Sequence, residues 1–394
     1  VRAYYAEHKR KEQEVFVPLV HRPGDEAQVD FFEVTVDIGA ERRTCWMFLF
    51  RLMYSGRDFA WLYDRCDTVS FLDGHIRAFC EFDGIPARII YDNLSAAVKR
   101  VLFPGRELTD RFKALVSHYL FEPCFARPRT GHDKGGVESR GKAIRYQHLV
   151  PIPKGDSLEH VSERLQMRLN LQAKHRKRRD GSLAMALFET ERPLLRTLPE
   201  GSFEPREAVL LEVNRKSLVA YKGEVYSLPS HWACLSVTAF VGPVDIRFVC
   251  RDEIRERERV RKGEQQIRYL DYLAELKKKP QAVRQVAPEL LEELGEPFSK
   301  LYGLLTESLG GKEAGRVLAK VLRAIEQHGQ RDVEQALLLA LEEGKGSILS
   351  LAPLLREPLP ETIEVPAALA DYVVETARAS DFDGLLAKEG TYDC

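Results

Sequence analysis

Three acidic residues stand where a metal-dependent site could be built. Asp30 lies inside an alternating apolar run, AQVDFFEVTVDI at 27–38. Side chains alternate across a strand, so Gln28, Asp30, Phe32 and Val34 share one face and Val29, Phe31 and Glu33 the other. Glu33 is therefore poorly placed to join Asp30. A carboxylate in such a run is costly unless it is paired or holds a cation. Asp92, followed by Asn93, closes the short apolar run ARIIY. The carboxyl end of a strand is where α/β sheets place their sites. Glu138 lies near the start of a predicted helix that follows RPRTGHDKGG. Lys134 and Lys142 stand four residues to either side and Arg145 seven beyond, so all four share one helix face. Three carboxylates gathered together would repel, and each would resist ionisation. Two Mg²⁺ ions remove that cost: about 3.5–4 Å apart, they activate an attacking oxygen and stabilise a leaving oxygen in phosphoryl transfer. Mg²⁺ favours a few carboxylates plus phosphate oxygens. On spacing alone, the three are equally readable as unrelated acids of an α/β domain.

The elements that must position these acids form an ordered series. Residues 1–23 read as a short charged helix and linker closed by Pro18 and Pro23. Residues 24–155 read as a mixed α/β domain. Strands are expected at 27–38 and 42–54, joined by a turn at Gly39-Ala40, and a third at 57–64. A helix follows at 70–84, a strand at 87–92, a helix around 109–120, a strand at 121–126, and a helix from about Lys134. Three consecutive strands followed by alternating helices and strands imply a mixed sheet with helices packed on it. Residues 156–205 read as a basic helical linker. Five short β-rich runs at 206–250 suggest a small five-stranded barrel. Residues 251–394 read as helical, punctuated by Gly310-Gly311, Gly329 and Gly344/Gly346.

Charge and composition narrow the function. The chain has 394 residues, 44% hydrophobic and 30% charged, as expected of a folded, soluble protein of two or three domains. No apolar run reaches the roughly 18 residues of a membrane span, and no secretory leader opens the chain. Seven scattered cysteines, without a CxxC pair, speak against a zinc knuckle or disulfide framework and for a reducing cytoplasm. The net charge of −1 hides a polarity. Residues 97–179 carry 19 Lys/Arg against 8 Asp/Glu, a net of +11. Residues 289–394 carry 10 against 20, a net of −10. The middle of the chain has the charge of a nucleic-acid binder and the tail does not.

The order strand-Asp, strand-Asp-Asn, helix-Glu resembles the DDE core of transposases and retroviral integrases. AQVDFFE (27–33), YDNLSAAVKR (91–100) and GHDKGGVESRGKAIR (131–145) are similar to the three motifs of IstA-type insertion-sequence transposases. VYSLPSHW (225–232) is similar to the strand motif of the barrel after their core. The resemblance spans about residues 15–250. It implies a ribonuclease-H-like fold, with Asp30, Asp92 and Glu138 as catalytic residues and ligands of two Mg²⁺ ions, for which Mn²⁺ would substitute. It implies 3′-end cleavage by an activated water, then attack of the new 3′-hydroxyl on target DNA, in a bacterial cytoplasm. It also implies a homo-oligomer on paired element ends and an AAA+ helper ATPase of the IstB type. The family's N-terminal helix-turn-helix has too few residues before Asp30. The chain begins with Val, which points to a missing N-terminal portion.

No Ser, Tyr or His nucleophile is needed for this chemistry. Tyr91 reads as strand core, and His132 as a loop residue. The expected phosphate contacts are Lys99, Arg100, Arg127, Arg129, Lys134, Arg140, Lys142 and Arg145, joined by Lys174, Arg176, Lys177, Arg178 and Arg179. Such contacts give affinity and register rather than sequence readout. The stripe Ile267, Leu270, Leu273 and Leu276 and the amphipathic runs beyond it read as core or as a surface for another subunit or the helper ATPase. Two other readings compete: a nuclease of the same fold without joining activity, and a non-catalytic DNA-binding derivative.

Overall fold

The computed structural model describes residues 20–91, 98–101, 106–125, 135–178 and 181–342. It divides into two compact units, residues 1–272 and 273–394.

The first unit opens with a long hairpin. β1 (Glu26–Ile38) and β2 (Glu41–Leu52) pair antiparallel over their whole length, and β3 (Asp58–Tyr63) continues the meander on β2. Gly39 takes φ +58° in the tight turn between β1 and β2, a conformation that costs glycine little. On the other edge of β1 the sheet turns parallel, with β4 (Arg88–Tyr91) against β1 and β7 (Glu122–Phe125) against β4. The order is β3-β2-β1-β4-β7. The two-residue β8 (Lys154–Gly155) pairs with the far end of β1. β5 (Val98–Val101) and β6 (Arg106–Leu108) form a separate small hairpin.

Helices cover both faces of this sheet. α1 (Thr68–Phe82) starts at Asp67, whose carboxylate caps the Ser70 N–H. α2 (Asp110–Tyr119) starts at Thr109, which caps the Phe112 N–H. Together they bury an aromatic core on Ala27, Val29, Phe31, Phe48 and Phe50. α3 (Gly135–His148) and α4 (Leu158–His175) cover the opposite face, on Val34, Val36, Met47, Leu49 and Leu62. The alternation along β1 thus sends odd residues 27–31 to α1 and α2 and even residues 34–38 to α3 and α4. This mixed sheet between helices fits the expected ribonuclease-H-like fold. α5 (Ala184–Glu191) ends on Glu191, whose buried carboxylate accepts the N–H groups of Gly24 and Ser55.

The β-module that follows differs from the expected five strands. β9 (Glu207–Glu212), β12 (Ser236–Val241), β13 (Asp245–Cys250) and β14 (Glu253–Glu258) make one sheet. β10 (Leu218–Tyr221), β11 (Glu224–Ser227) and β15 (Gln265–Gln266) make another, and the two share a core around Trp232, Tyr226 and Phe248. The β-structure therefore runs past residue 250, where helix was expected. β14 reads EIRERE and lies at the edge of its sheet, where charged residues block further pairing. Its sequence thus lacks an apolar strand signal. The stripe from Ile267 to Leu276 is not one helix either. Ile267 follows the two-residue β15, Leu270 lies in a 3₁₀ turn at Tyr269–Tyr272, and Leu273 and Leu276 lie in the four-residue α6 (Leu273–Leu276).

The second unit begins with α6 and continues as α7 (Pro280–Leu294), α8 (Glu296–Leu309), α9 (Gly311–His328) and α10 (Gln330–Glu342). Gly295, Gly310 and Gly329 separate the longer helices, each with positive φ. The apolar stripes meet in a core of Val283, Leu290, Phe298, Leu318, Leu322 and Leu337. Among the described residues no helix is long and apolar enough to cross a membrane.

Candidate catalytic site and nucleic-acid interface

Asp30 lies half-buried in the middle of β1, opposite Leu49 of β2, and its Oδ1 accepts the Phe31 N–H at 3.0 Å. Its neighbours on the same face hold α3 in place. The Gln28 Oε1 accepts the Val137 N–H at 3.2 Å, satisfying a first-turn donor that has no partner within the helix. The tip of the Phe32 ring lies against Gly141, where an added Cβ would come 2.2 Å from it. Gly141 is therefore what lets α3 approach β1 so closely. Val137 and Gly141 bracket Glu138, as Gln28 and Phe32 bracket Asp30. Asp30 is thus on the β1 face that α3 covers, and Glu138 is in the first turn of that helix. Glu138 is half-buried.

Asp92 lies outside the described residues. β4 ends on Tyr91, and the parallel register pairs Gln28 with Ile90, each two residues short of its acid in the chain. Among the described residues no group of three metal-binding side chains is assembled, and Asp92 is not among them.

Tyr91 is buried core, as read from the sequence, but it also carries a polar link. Its hydroxyl lies 2.9 Å from the His75 Nε2, and the His75 Nδ1 lies 2.7 Å from the Phe71 carbonyl. A carbonyl only accepts, so Nδ1 carries the proton and Nε2 accepts from Tyr91. Burial pushes the His75 imidazole down to about 4, against the opposing pull of the Phe71 carbonyl. The pair fixes the end of β4 against α1, immediately before Asp92.

Ion pairs tie the β-module to the core near Asp30. The Arg259 guanidinium, almost wholly buried, reaches Glu224 at 2.7 Å and the α1 cap Asp67 at 3.2 Å. Arg65 reaches Glu224 at 3.3 Å. Between Arg65 and Asp67, burial and then the charges of Asp67 and Asp30 push the Cys66 thiol up to about 11.

The expected phosphate contacts divide. Lys142 and Arg145 are exposed on α3, and Lys174 and Lys177 at the end of α4. Lys99 and Arg100 lie on β5. Arg127, Arg129, Lys134 and Arg179 lie outside the described residues, as does His132. Arg178 donates to the Tyr54 carbonyl.

Arg140 and Arg176 correct the expectation. Arg140 is buried and donates from Nε to the Asp58 Oδ2 at 2.8 Å and from Nη2 to the Gln172 Oε1 at 2.5 Å. Arg176 donates to the same Oδ2 at 2.6 Å and also to the Gly56 carbonyl. Arg51 holds the other oxygen, Oδ1, at 2.5 Å. These two cations face an internal carboxylate rather than solvent. Periodicity could have shown this for Arg140, which falls on the buried face of α3 with Val137, Gly141 and Ile144. Asp58 itself was not foreseen. Burial would raise its carboxyl, but Arg51, Arg140 and Arg176 hold it well below the usual carboxylate range.

The chain is 31% identical over 372 residues to a transposase of Aminobacter aminovorans, covering 90% of this chain and 72% of that one. It belongs to the insertion-sequence transposases. A transposase for the insertion sequences IS1326/IS1353 of Pseudomonas aeruginosa is 30% identical over 383 residues, covering 94% of this transposase and 74% of that one. The transposase of element IS21, also of Pseudomonas aeruginosa, is 27% identical over 256 residues, 64% of each chain. No protein-family profile matches. Among solved structures, the catalytic core of HTLV-2 integrase, determined with magnesium, superposes with a TM-score of 0.30 at 13% identity, covering 42% of this transposase and 97% of that core.

Proposed function

We propose that this transposase cuts the 3′ ends of its insertion sequence and joins them to target DNA, with Asp30, Asp92 and Glu138 as the catalytic carboxylates. The observation that carries this reading is the seating of α3 on the Asp30 face of β1, through Gln28 to Val137 and Phe32 to Gly141. An all-carboxylate donor set suits Mg²⁺ or Mn²⁺. Two such ions, when bound, would polarise the scissile phosphate and lower the pKa of the attacking water or 3′-hydroxyl.

The chain's own residues supply position and charge. Asp30, on a central strand, and Glu138, in the first turn of a helix tied to that strand, form a rigid pair of donors. Asp92 follows a strand end locked by the His75–Tyr91 bond. Lys142 and Arg145 lie on the same helix as Glu138 and offer positive charge to the DNA backbone beside the reacting phosphate. Lys174 and Lys177 extend this surface along the same unit. Cutting two ends and joining them at one target calls for a homo-oligomer, and we assign an IstB-type helper ATPase as partner in the bacterial cytoplasm.

The test is a strand-transfer reaction. It contains the full-length protein, a labelled duplex of the element end, supercoiled target, Mg²⁺ or Mn²⁺, and the helper. Joined product from the parent but not from Asp30→Asn, Asp92→Asn or Glu138→Gln is the expected result. Nicking without joining would leave a nuclease. DNA binding with no product under either metal would withdraw the catalytic assignment.

A further inference from the structure

We infer that Asp58 is a positioning residue for the Glu138 helix: through Arg140 it sets the rotation of α3 and thereby where the Glu138 carboxylate stands. This deepens the proposed reading of Glu138 as a metal ligand and rests on it. Asp58 opens β3, is nearly fully buried, and holds three guanidiniums, one from the neighbouring strand and two from distant parts of the chain. Arg51 comes from β2, Arg140 from α3, and Arg176 from the residue that caps α4. One carboxylate thus joins the sheet, the Glu138 helix and the start of the basic segment 174–178.

The cluster is built for orientation more than for stability. A single carboxylate under three cations leaves positive charge in excess around buried Arg140, with Arg51 and Arg176 partly exposed, and replacing such a buried ion pair with apolar side chains is often neutral or stabilising. Partners complete the geometry instead. Gln172 of α4 accepts from the Arg140 Nη2, and Gly56 takes bonds from both Arg51 and Arg176 through its carbonyl. Arg140 is therefore held from β3 and from α4 at once.

Helix geometry links this grip to Glu138. Successive residues turn about 100° around the axis, so Arg140 and Glu138 bound opposite flanks of the buried stripe Val137–Gly141–Ile144. A rotation of about 20° would carry a carboxylate about 6 Å from the axis through roughly 2 Å. Metal ligands tolerate only about 0.2 Å. Gln28 and Phe32 hold only the first two turns of the helix. Val137 and Ile144 are buried in the sheet core, and Arg140 adds a polar grip on the flank away from Glu138 that opposes rolling about the axis.

The experiment measures Mn²⁺ binding by electron paramagnetic resonance, with the melting temperature and strand transfer followed alongside. It compares the parent with Asp58→Asn, Arg140→Met and Glu138→Gln, all in the full chain. Arg140→Met leaves Asp58 with Arg51 and Arg176 and fills the vacated space. It is read even if Asp58→Asn does not fold. We expect Arg140→Met to weaken Mn²⁺ binding about 10-fold or more, as loss of an orienting partner does at other metal sites. Joining should recover in part at high Mn²⁺, and Asp58→Asn should add nothing to Arg140→Met. Unchanged Mn²⁺ affinity in Arg140→Met, with only a lower melting temperature, would overturn the inference while Glu138→Gln still loses the metal. Unchanged affinity in Glu138→Gln would instead overturn the assignment of Glu138, and the inference with it.

Discussion

Acidification should loosen the end of β4 through one buried histidine. His75 is pushed down to about 4 in the folded chain and titrates near 6.5 when unfolded. The folded value is the lower one, so the neutral imidazole contributes stability that is fully present above pH 6.5. That stability is lost as pH falls towards 4. Each unit of separation corresponds to about 1.4 kcal/mol, so relative to pH 7.5 the loss is about 1.4 kcal/mol at pH 5.5 and about 2.5 kcal/mol at pH 4.5. The geometry says where the loss falls. A protonated Nε2 must donate, yet it faces a Tyr91 hydroxyl that already donates to it, inside a cage of Phe48, Phe71, Phe79 and Phe121. The assay is hydrogen exchange on peptides covering 68–82 and 85–91, in the parent and in His75→Gln, between pH 7.5 and 4.5. Correcting for intrinsic exchange, the parent-minus-variant difference in opening free energy should shrink by those amounts. Parallel curves would refute the reasoning, as would a His75 ring resonance titrating near pH 6.5.

Other outcomes follow from the same geometry. Gly141→Ala gains about 1 kcal/mol of helix propensity but drives a Cβ into the Phe32 ring, which costs about 1–3 kcal/mol. It should lower the melting temperature and strand transfer, and Phe32→Leu in the same chain should restore both. Arg259→Met breaks a buried pair and leaves Glu224 with the Tyr226 hydroxyl and the longer cationic contact to Arg65, so it should cost about 3–5 kcal/mol, seen as faster exchange in the β-module and at the start of α1. Cys80 and Cys234 are exposed and should react with iodoacetamide at pH 8, whereas buried Cys45, its thiol pushed up to about 12 by burial and then by Asp64, should be protected until the chain unfolds.

The core was legible because its signals are local. The alternation in 27–38 gave β1, and the Gly39-Ala40 turn gave the hairpin. The pattern 70–84, ended by Gly84, matches α1 at Thr68–Phe82. β14 and β15 were missed because a charged edge strand and a two-residue strand have no apolar period to read. The partners of Asp58 were illegible for a different reason. Arg51 lies seven residues away, but Arg140 and Arg176 lie 82 and 118 away, and only the folded sheet brings them together.

Arg140 and Arg145, five residues apart on one helix, show why charge alone misassigns such a chain. Both add to the net of +11 over 97–179. Arg145 is exposed. Arg140 is buried under Asp58. A basic count is a statement about a whole surface, and it holds only for cations on the outward face. On α3 that face is set by Val137, Gly141 and Ile144, whose spacing was in the sequence from the start. On the proposed reading the outward cations meet DNA, and the inward one fixes the turn on which Glu138 stands. Removing Lys142 or Arg145 should therefore weaken DNA binding in a salt-dependent way and leave Mn²⁺ affinity alone, whereas removing Arg140 should do the reverse.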